Sequence, residues 1–73
     1  MRKLESIFYD NEQEKWFLRQ GDRSYGLHCG ECFDLYIGKT AYPCRLEVDT
    51  DWYVILPETR FTLHPRTVYH VRM

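Results

Sequence analysis

From Phe33 to Val48 the chain alternates in two runs joined by a glycine turn. Phe33, Leu35 and Ile37 alternate with Asp34 and Tyr36; Gly38-Lys39 follows; then Tyr42, Cys44, Leu46 and Val48 alternate with Pro43, Arg45, Glu47 and Asp49. Side chains of an extended strand point to opposite faces with a period of two, so this pattern predicts an antiparallel hairpin with one face in a core and the other in water. A helix, with its period near 3.6, cannot gather these positions on one side. Pro43 has no backbone N–H to give to a ladder, so its strand should be at a sheet edge there, or bulged.

The rest of the chain reads the same way, because no stretch of ten residues keeps a helical repeat of apolar positions. Residues 4–9 and 15–19 are candidate strands around the polar Asp10-Asn11-Glu12-Gln13-Glu14, with Trp16 and Leu18 on one face, and predict a hairpin. Gln20-Gly21-Asp22-Arg23 supplies a turn into a short element at 24–27 that contains Tyr25. Asp49-Thr50-Asp51 turns into Trp52-Tyr53-Val54-Ile55-Leu56, which Pro57-Glu58-Thr59 ends. The last elements, 61–63 and 67–72, are separated by His64-Pro65-Arg66.

Strands recurring every 8–12 residues or so, without helices between them, imply a consecutive antiparallel meander. A chain of 73 residues has room for one domain only. Closing the sheet would remove edges that invite aggregation. The expectation is therefore an all-β fold: a small SH3-like antiparallel barrel of five to six strands preceded by an N-terminal hairpin, with residues 1–73 forming a single domain. Two Trp, six Tyr and four Phe supply buried area that a domain this small needs.

The 52–56 strand is apolar on both faces, and only one can line a barrel core. The expected cover for the second face is the N-terminal hairpin, with Ile7, Phe8, Trp16 and Phe17; otherwise Tyr53 and Ile55 belong to a partner-binding surface. Residues 67–72 are a candidate edge strand able to pair with a second copy.

A net charge of −1 argues against a dedicated nucleic-acid binder, which normally carries a clear basic excess. All eleven acids lie before Arg60, however, so Arg60, Arg66 and Arg72 make the tail locally basic. Acidic residues interrupt the N-terminal stretch before a signal-peptide core could form, and no run approaches the ~20 apolar residues of a membrane span. Three cysteines cannot form a complete disulfide framework. Reduced thiols and a cytoplasmic location are the expectation.

His28-Cys29-Gly30-Glu31-Cys32 contains the C-x-x-C spacing with which two thiolates hold one zinc ion, but it is half a site. Cys44, His64 and His70 form no second close pair, and Cys44 shares the alternating face of Leu46 and Val48, where cysteine acts as a small apolar residue. Gly30-Glu31 reads as a turn or bulge entering the Phe33 strand. No predicted helix lowers the pKa of a redox cysteine, and Asp49 and Asp51 read as a solvated turn. The expectation is no catalytic residue, no metal and no cofactor. Tyr36, Tyr42, Tyr53 and Tyr69 with Arg45, Arg60, Arg66 and Arg72 could form a face on which single-stranded bases stack.

Residues 27–72 resemble a family of small uncharacterised bacterial proteins, a domain of unknown function often found on conjugative elements of Gram-positive bacteria. The resemblance rests on Leu27-His28-Cys29-Gly30-Glu31, Ile37-Gly38, Pro43-Cys44-Arg45-Leu46-Glu47 and Trp52-Tyr53, in the family's order. It implies a small β-barrel and supplies no activity. A weaker similarity to SH3-like and Tudor-type barrels rests on Gly30 followed by a strand, a glycine turn and a second strand.

These readings lead to a non-catalytic binding module whose partner is another protein, with Tyr36, Tyr42, Arg45, Trp52, Tyr53 and Ile55 as candidate contact residues, or the sheet edge near Pro43. The alternative is a weak single-stranded nucleic-acid-binding domain. No membrane partner is expected.

Overall fold

The computed structural model describes residues 5–73. Leu4, expected to open the first strand, lies outside the described residues. Eight strands follow one another: β1 (Glu5–Asp10), β2 (Lys15–Gln20), β3 (Arg23–Gly26), β4 (Cys32–Ile37), β5 (Thr40–Val48), β6 (Trp52–Ile55), β7 (Arg60–Thr62) and β8 (Tyr69–Arg72). The turns between them use local chemistry. The Asp10 carboxylate accepts the backbone N–H groups of Glu12 and Gln13 at 2.8 and 3.4 Å, closing the β1–β2 loop. Gly38 takes the first position of the two-residue β4–β5 turn at φ 64°, a conformation that costs glycine nothing.

All eight strands form one antiparallel sheet in the order β3-β2-β1-β8-β4-β5-β6-β7. Two meanders, β1-β2-β3 and β4-β5-β6-β7, run outward from β8. That last strand sets Tyr69 opposite Ile7 and Val71 opposite Leu35. Three sequence expectations are corrected here. One sheet holds all eight strands, rather than five or six, because the N-terminal hairpin joins it instead of preceding it. The meander is not consecutive, because β8 is inserted. Residues 67–72 supply a central strand, not an edge.

The sheet is also open, not a closed barrel: β3 and β7 are its edges, with no strand beyond them among the described residues. It is nevertheless rolled. Phe61 on β7 contacts Tyr69 on β8 with ring centroids 5.9 Å apart, whereas four strand spacings of about 4.8 Å would separate the two strands by ~19 Å in a flat sheet. Rolling lets one face pack against itself, which is how a single layer encloses a core. Its edges are three or four residues long and carry Arg60 or Arg23, which discourages further strand pairing.

The concave face holds one apolar cluster drawn from six strands, including Ile7, Trp16, Leu35, Leu46, Val54 and Val71, each fully buried. Leu27 and Leu63 extend it just past the ends of β3 and β7, their N–H groups bonded to the carbonyls of Trp16 and Trp52 at 2.9 Å. Ile37, Tyr42 and Val48 share the parity of the core positions yet are exposed. Ile37 lies beyond the part of β4 that pairs with β8, and Tyr42 beyond the part of β5 that pairs with β6, so each has a strand neighbour on one side only. Among the described residues there is no helix long and apolar enough to cross a membrane.

Candidate functional site

Strand alternation sends Asp34, Pro43, Arg45, Tyr53, Ile55 and Arg72 to the outer face, away from the core. The expected cover is not there. The N-terminal hairpin occupies the other half of the sheet, where Ile7 and Trp16 face the core and Phe8 stacks on Phe17 at 5.8 Å. Arg19 and Lys15 cap that pair at 5.0 and 5.5 Å from the ring centroids. The outer face of β6 is covered instead by its own neighbour: the Arg60 guanidinium lies 4.6 Å from the Tyr53 ring centroid. Ile55 beside it is half-buried.

A cleft of about 530 Å³ opens on this face across four adjacent strands, lined by Cys32 and Asp34 of β4, Pro43 and Arg45 of β5, Ile55 of β6 and Arg72 of β8. Leu56, Pro57 and Met73 close one end. Arg72 reaches Asp34 at 3.5 Å, and Arg45 reaches Glu47 at 2.8 Å. The Arg72 Nε is buried without a partner.

Pro43 conforms to its expected edge position. Leu46 gives its N–H to the Glu31 carbonyl and accepts the Gly30 N–H, so its backbone faces the β4 side and, two by two, that of Pro43 faces the other. β6 pairs only with residues 45–48, which leaves the proline nitrogen at an open edge. With one donor missing, this edge is a poor template for an added strand.

The His28–Cys32 segment is a turn followed by a bulge. Glu31 N–H bonds to the His28 carbonyl at 3.2 Å around Gly30 at φ 93°, and the Glu31 carboxylate accepts the His28 N–H at 2.5 Å. Gly30 and Glu31 then share one partner, Leu46, which is the two-against-one pairing of a β-bulge. Cys29 and Cys32 are exposed and free; Cys44 is buried, and its thiol is pushed up to about 12, chiefly by burial and then by the negative charges of Asp34 and Cys32. Among the described residues no three His, Cys, Asp or Glu side chains converge where they could hold a metal ion.

A second cavity, of about 360 Å³, lies where the β1–β2 loop, the β5–β6 turn and the segment after β7 meet. Tyr9 and Trp52 line it with Leu63, and Glu14, Asp49 and Asp51 stand at its rim. The six nominated residues are thus not one surface. Arg45 and Ile55 line the outer cleft, Tyr53 lies beside it, and Tyr36 shares that face. Trp52 turns to the opposite face and packs against the core, and Tyr42 sits exposed at the hairpin tip. Sequence reasoning missed Asp34 and Arg72 as neighbours, which only the β4–β8 pairing brings together, and Glu14 with Asp49 and Asp51, which only the roll does.

Fold and clefts together define a small all-β domain made of one rolled, open sheet. The chain belongs to the family described as Domain of unknown function (DUF5348), which it matches over residues 5–73. It is also similar to the crystal structure of a protein from Ruminococcus gnavus, a structural-genomics target, with 33% identity and a TM-score of 0.73 over 97% of this chain and 100% of that one. No curated protein matches it.

Proposed function

We propose that this domain is a non-catalytic, cytoplasmic protein-interaction module that receives another protein, from a conjugative element that encodes it or from the host, in the outer cleft. One observation carries the reading. The core uses only the concave face, while the opposite face holds a wide cleft whose lining combines apolar Pro43, Ile55, Leu56 and Pro57 with Arg45 and Arg72. An apolar lining that includes arginines suits the centre of a protein interface, where arginine is enriched and lysine depleted. The face is favoured over the edge because Pro43 withholds a donor there.

Single-stranded nucleic acid is the second reading, supported by Arg45, Arg60, Arg72 and Tyr53 sharing the outer face. It is the weaker one because each of those arginines is already engaged by a ring or a carboxylate. The test is cross-linked affinity capture from host lysate with and without nuclease, comparing the wild-type chain with Ile55→Asp and with Lys39→Glu as a control at a turn outside the cleft. A protein that survives nuclease and is lost only with Ile55→Asp supports the module. Material that vanishes with nuclease transfers the proposal to nucleic acid, and capture indifferent to Ile55→Asp removes the cleft from consideration.

A further inference from the structure

We infer that the cavity between Tyr9 and Trp52 is a recognition groove for a lysine- or arginine-bearing peptide segment of another protein. It lies on the opposite side of the sheet from the outer cleft and does not depend on the function proposed for that cleft. The walls are two half-buried aromatic side chains, and Leu63, itself buried, lies beneath them. Tyr9 is held in place by Trp16, whose ring meets it at 5.6 Å in an edge-on arrangement, and Trp52 by its packing against the core. Aromatic faces carry negative potential and attract ammonium and guanidinium groups, the more so where water is partly excluded.

The rim has the matching charge. Glu14, Asp49 and Asp51 are exposed, and among the described residues no ion pair joins any of them to a basic side chain. Lys15, next to Glu14 in the chain, sends its amine to the Phe17 ring on the outer face, so it does not neutralise the groove. The three carboxylates are too dispersed to hold a metal ion. Negative charge spread along an aromatic slot fits a long side chain whose methylenes lie against the rings and whose charged head reaches the rim. Flanking basic residues of the same peptide then meet the remaining carboxylates.

The experiment is a titration of the full ¹⁵N-labelled chain with an acetylated, amidated Gly-Lys-Gly-Arg-Gly peptide, followed by heteronuclear NMR. The Trp52 indole N–H and the amides of Asp49, Thr50 and Asp51 are expected to move together and saturate, while Arg19 and Arg45 on the outer face stay still. Added salt weakens the binding. The same peptide with Glu at both basic positions leaves the spectrum unchanged. The triple variant Glu14→Gln, Asp49→Asn, Asp51→Asn alters only exposed groups, and unchanged Leu46 and Val54 resonances verify its fold. Its affinity falls about two- to fivefold for each charge removed. A Trp52 indole that does not respond at millimolar peptide, shifts confined to the outer face, or equal binding by the triple variant overturns the assignment.

Discussion

Phe61 of β7 meets Tyr69 of β8 edge-on, ring centroids 5.9 Å apart and planes at 88°, although β6, β5 and β4 lie between their strands in the sheet. This contact is a clasp across the roll. Tyr69 also touches the fully buried Trp16 at 5.7 Å, so one ring joins the N-terminal meander, the central strand and the far edge.

The clasp has a polar half. The Tyr69 hydroxyl accepts the backbone N–H of His64 at 2.9 Å and so anchors the segment leading from β7 to β8. Tyr69→Phe keeps the ring contacts and deletes this bond, and is expected to cost about 1 kcal/mol. In a domain of this size that lowers the melting temperature by roughly 4–8 °C. Calorimetry checks it; an unchanged Tm would mean that water replaces the hydroxyl at no cost.

Gly30 offers a separate test of the bulge. A Cβ there meets no atom within 4 Å, so the cost of a side chain is purely that of the backbone at φ 93°. Gly30→Ala is expected to destabilise by about 1–2 kcal/mol, seen as a lower urea midpoint with an unchanged slope. If Ala is tolerated without loss, residues 28–31 must relax out of the turn, and the hydrogen bond from Gly30 to Leu46 is dispensable.

The β4–β5 hairpin was fully legible because period-two alternation and a glycine turn are local signals. All eight strands were likewise located within a few residues by their turn-forming neighbours. Their pairing was not. Tyr69 and Val71 alternate with His70 and Arg72, which says that one face of β8 is buried but not that Leu35 and Ile7 flank it, since strand neighbours far apart in sequence are chosen by the whole sheet. The candidate site suffered for the same reason. The sequence groups Trp52 and Tyr53 as one surface although adjacent strand residues face opposite ways, and Asp49 and Asp51 read as a plain solvated turn because the rings they accompany arrive only with the roll.

Cys44 ties the core to pH and to thiol chemistry. Only 6% exposed, it resists ionisation in the folded chain, its pKa rising from 9.0 to about 12, whereas in the unfolded chain it ionises near the ordinary value. Between those two values the unfolded state has lost a proton that the native state keeps, so unfolding becomes easier as pH rises. The contribution of Cys44 is complete below about pH 9 and is lost progressively toward 12, at a slope of at most ~1.4 kcal/mol per pH unit. Urea titrations at pH 8 and pH 10.5 should therefore show a larger loss of stability for the wild-type chain than for Cys44→Ala, which cancels the other groups that titrate in that range. Iodoacetamide at pH 8 should add two labels to the native chain, at exposed Cys29 and Cys32, and three only after denaturation. Rapid labelling of Cys44 in the native state would show that the β4–β5 hairpin opens without global unfolding, and equal pH dependence in wild type and Cys44→Ala would show that burial of this thiol is not what holds its proton.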